Sequence, residues 1–149
     1  MSRFDDRHRV PDADSLWIAS DNERGGAQCA VRIIDTTPAR AAALRMRIRE
    51  ASAVRHPSLA RWVTLKEEDG QLIVAREWLP GPAFTGPMPA KDAVKIMVAV
   101  LDGLDVAHWH DLTHGRIAAE RILRGEDNTP VLVDLGLEGQ GTVAADLRA

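Results

Sequence analysis

Ten residues, PGPAFTGPMP from Pro80 to Pro89, hold four prolines and two glycines. Proline fixes φ and brings no N–H, so neither a helix interior nor a central strand runs through such a stretch. It divides the chain into two parts with different patterns. Before it, LWIAS (Leu16–Ser20) and QCAVRII (Gln28–Ile34) flank DNERGG, whose Asn and Gly suit a hairpin turn. Next, TTPARAAALRMRIREASAVRHP offers Thr37 as N-cap and Pro38 at the first helical position. Leu44, Ile48, Ala51 and Val54 share one face of that helix, and His56-Pro57 ends it. A second hairpin is predicted at Trp62–Lys66 and Gln71–Leu79 around EEDG. After the Pro/Gly stretch, Lys91 to about His110 is apolar on nearly every side near Ile96–Leu101, which predicts a helix at the centre of a lobe. A last hairpin is expected at Arg121–Leu123 and Val131–Leu135. Segregated strands and helices of this kind predict an α+β fold, residues 1–80 forming one lobe and 81–149 the other, together one domain.

Composition excludes several classes of function. With 149 residues the chain is long enough to bury a core. The longest apolar stretch is interrupted by Lys95, Asp102 and Gly103, so no membrane span is expected. A net charge of −3 without basic blocks argues against nucleic acid or an anionic membrane as partner. The opening MSRFDDRHRVPDADS is too polar and acidic for a signal or transit peptide, and cytoplasmic residence is expected. Cys29, the one cysteine, reads as a small buried hydrophobe. No metal site is expected, because the five histidines lack ligand spacing and His108 and His110 face different sides of a helix. The tryptophans at 17, 62, 78 and 109 read as core, with Trp78 set apart by its place in REWLPG.

Several fragments, in order, resemble the eukaryotic-type (bacterial Hanks-type) Ser/Thr protein kinases. CAVRII resembles their third strand, RHPSLARW the segment after the lobe's helix, and REWLPG the hinge. AHWHDLTHGRIAAERIL resembles the catalytic loop with its preceding helix end, and His108 and His114 keep the six-residue separation of that motif. VLVDLGL resembles the metal-binding segment. The resemblance covers about 120 residues and implies a two-lobed kinase-like fold: a small antiparallel sheet with one helix, then a minimal, truncated helical lobe with a central helix, a degenerate catalytic loop and the DLG hairpin.

Kinase chemistry is mostly placement of phosphates, metal and hydroxyl, and each placement needs its own group. At the position of the base that accepts the substrate proton stands Arg116, which accepts nothing. At the metal-binding Asn stands Arg121, and Ala118 and Gly115 replace the loop lysine and arginine. The phosphate-binding lysine is Arg32, a larger planar cation. The interval that should hold a Gly-rich loop, between a first strand near Arg9–Val10 and Leu16, reads PDADS. An ungapped register puts Arg47 at the helix glutamate, leaving Glu50 as the carboxylate that could reach Arg32. Asp134 of DLG is retained, and it reads either as a metal carboxylate or as a buried acid neutralised by Arg116 or Arg121. ADLRA at the end resembles a later element, SDIYSLG, which implies an activation segment of only a few residues, in a naturally short chain or an excised piece.

The resemblance with these departures implies a catalytically inactive pseudokinase-like domain, not an enzyme, that binds a protein partner as a scaffold or regulatory module in a bacterial-type setting. A homodimer through the helix Val94–Ala107 is a second expected association. No cofactor is favoured. The alternative is a nucleotide-binding switch or atypical phosphotransferase using Arg32 and Asp134, with Glu50, Glu77 and Leu79 completing an ATP site that holds magnesium.

Overall fold

A computed structural model of the chain describes residues 3–9, 16–79, 81–137 and 146–147. The polypeptide divides into two compact units, one of Met1–Arg45 with Arg61–Trp78, the other of Met46–Ala60 with Leu79–Ala149.

The first unit is a five-stranded antiparallel sheet in the order β1-β2-β3-β5-β4. Its strands are β1 (Phe4–Arg9), β2 (Leu16–Asp21), β3 (Ala27–Asp35), β4 (Trp62–Glu68) and β5 (Gln71–Glu77). Both predicted hairpins are present. Between β2 and β3 a 3-10 turn at Asn22–Arg24 ends on Gly25 and Gly26, both at positive φ. Between β4 and β5, Asp69 (φ 52°) and Gly70 (φ 77°) take the left-handed conformations of a two-residue hairpin turn. One sheet face is the apolar core of the unit: Phe4, Ala19, Cys29, Val31, Ile73 and Ala75, with Trp17, Ile33 and Val63 at its margin. Cys29 is fully buried, as its apolar neighbours in sequence suggest, and burial pushes its thiol pKa up. A carboxylate is buried at the end of β2 as well. Asp21 accepts two hydrogen bonds from Arg3, at 2.8 and 3.0 Å, and one from the Glu23 amide, and the Arg3 bonds hold its pKa below the ordinary range.

Helix α1 (Pro38–Ala53) starts where the sequence sets it. The Thr37 hydroxyl accepts from the Arg40 amide at 3.3 Å, and Ala41, Leu44, Ile48, Ala51 and the following Val54 are buried. The division between the two units falls within this helix, between Arg45 and Met46.

In the second unit, helix α2 (Ala90–Trp109) packs against the hairpin β6 (Ile122–Arg124) and β7 (Pro130–Leu132) through β7. Gly103 permits the approach of α2 to the 56–59 turn. A Cβ there would lie 3.2 Å from Leu59 Cγ and 3.3 Å from His56 Nδ1. Asp111, in the left-handed region, ends the helix: the Leu112 amide reaches back to the Ala107 carbonyl and the Asp111 amide to that of His108, each at 2.9 Å. β7 is extended from the loop side by Leu59 and Ala60, whose backbone pairs with Leu132.

Four expectations need correction here. The last hairpin strand stops at Leu132 and not Leu135, because Asp134 sits at φ 69°, outside extended geometry. The second strand of the preceding hairpin stops at Glu77, and Leu79 belongs to the other unit. Helix α2 is not buried on all sides: Val100, Leu104 and Ala107 are covered, but Val94, Met97, Val98 and Leu101 are exposed. Trp109, at its last turn, is 87% exposed and not core. The Pro/Gly stretch also does more than link. Residues 82–84 pair with β6, Phe84 donating to the Ile122 carbonyl at 3.0 Å and Arg124 to that of Pro82 at 3.2 Å. The Arg124 guanidinium lies over the Phe84 ring at 4.0 Å. Leu79 packs with Val131, Val133, Ala60 and Leu123, which makes it a core residue. The PDADS interval lies outside the described residues.

Candidate functional site

The chemistry-bearing residues of the second unit converge on the loop from His110 to Arg121 and on the turn after β7. His114 is its pillar. The ring is fully buried, its Nε2 donates to the Val133 carbonyl at 2.7 Å and its Nδ1 accepts the Arg116 amide at 3.1 Å. That pair of partners requires the neutral Nε2–H tautomer, and burial lowers the imidazole pKa in the same sense.

Asp146 fixes the loop from the other side. Its Oδ2 accepts His108 Nε2 at 2.7 Å and the His114 amide at 2.8 Å, while Oδ1 accepts the Gly115 amide at 2.7 Å. Burial raises the carboxyl pKa, but the hydrogen bonds from His108, Gly115 and His114 outweigh it and leave the pKa lowered. The six-residue spacing of His108 and His114 thus has a physical meaning, since both reach the same carboxylate oxygen. Sequence reasoning did not single out Asp146 as a loop-holding group. The signal was the resemblance of ADLRA to a later element of the family.

Asp134 is the buried acid of the turn. Arg121, delivered by a 3-10 turn at Ala119–Arg121, donates Nη1 to Asp134 Oδ2 at 2.9 Å, with the carboxylate side chain 2% exposed and the arginine 18%. Of the two arginines weighed as neutralisers, Arg121 donates to the carboxylate, and Arg116 is exposed. A divalent ion at that oxygen would face a fixed guanidinium. Among the described residues no group of three His, Cys, Asp or Glu side chains could hold a metal ion.

Gly136 completes the turn at φ 85°, where a Cβ would crowd the Arg47 carbonyl and Ala51. Arg47 Nε donates to the Gly136 carbonyl at 3.2 Å, so the helix residue aimed at the DLG turn is Arg47, and Glu50 lies on the exposed side of α1.

The remaining candidates belong to the first unit. Arg32 is on β3 of the first unit, opposite Leu16 and Val74, on the sheet face that also carries Ala30 and Arg76. Glu77 ends β5, where its side chain accepts the Arg61 amide at 3.0 Å. Arg76, which the sequence reading passed over, is 3% exposed and donates Nη1 to the Glu77 carbonyl at 3.2 Å. Its only signal was a cation directly after the apolar run LIVA.

No family model matches the chain. Among curated proteins, it is 23% identical over 117 residues to putative sperm motility kinase W of Mus musculus, covering 74% of this chain and 23% of that protein. It is 30% identical over 90 residues to serine/threonine-protein kinase fray1 of Dictyostelium discoideum, covering 55% of this chain and 16% of that protein. Among solved structures, a mutant of the Mycobacterium tuberculosis PknI kinase domain matches with a TM-score of 0.70 at 22% identity, over 95% of this chain and 65% of that one. The chain therefore spans less than a quarter of the curated relatives and about two thirds of a solved kinase domain. Strand order, the single helix between β3 and β4, the loop held by His114 and the structural match agree: the chain is a protein kinase-like domain in its fold.

Proposed function

We propose that this chain is an inactive kinase-like domain that works by binding a protein partner, as a scaffold or regulatory module. The observation that supports this reading is the ion pair of Arg121 with Asp134 at 2.9 Å. The relatives are named kinases, and in such enzymes the metal ions held at this segment neutralise charge on the transferred phosphoryl group. Here a protein cation takes that carboxylate. A metal ion at that oxygen has to displace the guanidinium or share the carboxylate with it, and either weakens metal binding.

Arg116 adds an independent obstacle. At the position of the base it cannot accept the proton of an attacking hydroxyl, and loss of such a group costs about 10²–10⁴-fold in rate. What the loop keeps is shape: His114, Asp146 and the apolar Leu112, Ile122, Leu132 and Val133 are all buried. A surface held this firmly suits recognition. Incubation of the full chain with radiolabelled ATP, magnesium and a generic protein acceptor tests the reading. No incorporation above background is expected in the chain or the acceptor, and incorporation that Asp134→Asn abolishes would overturn it.

A further inference from the structure

Helix α2 has two faces of opposite fate. Val100, Gly103, Leu104 and Ala107 are buried, whereas Val94 is 61% exposed, Met97 42%, Val98 54% and Leu101 40%. Val94, Val98, Leu101 and Asp105 recur at steps of four, three and four, a seam of the kind along which two helices pack, and Met97 widens it. Such a stripe on a 20-residue helix, about 30 Å long, is a surface shaped for a partner.

The exposed charges say which partner. Lys91 and Lys95 lie in the first half of the helix, and Asp102 and Asp105 in the second. Lys95 and Asp102 flank the seam on the same side, being seven residues apart. We propose that α2 pairs antiparallel with α2 of a second copy of this chain, about a two-fold axis near Val98. That axis sets Val94 against Leu101 of the second copy and Met97 against its Val98. It also sets Lys95 beside Asp102 of the second copy and Lys91 beside its Asp105, each pair occurring twice by symmetry. A parallel pairing would bring Lys91 against Lys91 and Asp105 against Asp105. The charges therefore fix direction and register, and the apolar stripe supplies the affinity. One helix pair is a small interface, so the dimer is expected to be weak. The inference stands apart from the functional reading, because a catalytically active domain with this helix would pair in the same way.

Sedimentation velocity on the full chain, from low micromolar to about 0.3 mM, tests it. The native chain is expected to pass from monomer to dimer. The Lys91→Glu/Lys95→Glu chain and the Asp102→Lys/Asp105→Lys chain are each expected to stay monomeric, and an equimolar mixture of the two to dimerise, which also shows that both are folded. Direction is read by cross-linking. Val98→Cys, near the axis, is expected to form a disulfide-linked dimer on oxidation and Val94→Cys is not, while Cys29 is fully buried and does not compete. A native chain that is monomeric throughout overturns the proposal. So does a dimer indifferent to the charge reversals, or one that cross-links through Val94→Cys.

Discussion

A carboxylate only 2% exposed needs hydrogen-bond donors in place of water, and at Asp134 Arg121 supplies one at 2.9 Å. The same loop holds a histidine that must stay neutral. Its folded pKa lies below the ordinary value of about 6.5, so the unfolded chain binds the proton first as pH falls. The stabilisation is complete above about pH 6.5 and declines below it, by about 1.4 kcal/mol per pH unit, until the folded pKa is reached. Unfolding midpoints measured from pH 7.5 to 5 are expected to fall on that account, and His114→Asn to flatten the slope while lowering stability at every pH. Asp146 adds its own loss in a lower window, because its pKa is depressed from the ordinary carboxylate value near 3.9. At this scale the sequence was legible where the family motif placed residues in order: Asp134 and two candidate arginines stood out. The delivery of Arg121 to Asp134 depends on the 3-10 turn at Ala119–Arg121, which no spacing rule contains.

Elements were more legible than their surroundings. Thr37, Pro38 and the apolar face of α1 carry their own signals, and so does the Asp69-Gly70 turn between β4 and β5. The bounds of α2 were close to those expected, but its exposed stripe was not, since hydrophobicity marks which residues seek burial and not which of them find it. The Pro/Gly stretch misled in a similar way. Its prolines exclude regular structure, yet Pro82, Ala83 and Phe84 still find partners on β6. Gly81 makes that possible, because a Cβ there would lie 2.5 Å from Arg124 Cβ and 2.6 Å from its carbonyl oxygen. Gly81→Ala is expected to destabilise the chain by about 1–3 kcal/mol, as overpacking against backbone does, in urea denaturation.

For the whole molecule, the kinase-like fold was readable because its fragments come in a fixed order, and each fragment brings its own local structure. The organisation into two units was less so. The 46–60 stretch belongs with residues 79–149 although it precedes β4, a long-range association that hydrophobic periodicity does not encode. The functional reading rests on whether the Asp134 carboxylate is available to a metal ion bearing nucleotide. Thermal unfolding of the full chain with ATP at about 5 mM, with and without magnesium, addresses that directly, since a ligand well above its Kd stabilises by about 2–3 kcal/mol and moves the midpoint by several degrees. No magnesium-dependent rise in Tm is expected for the native chain. A rise of several degrees that requires magnesium and disappears in Asp134→Asn would contradict the functional reading.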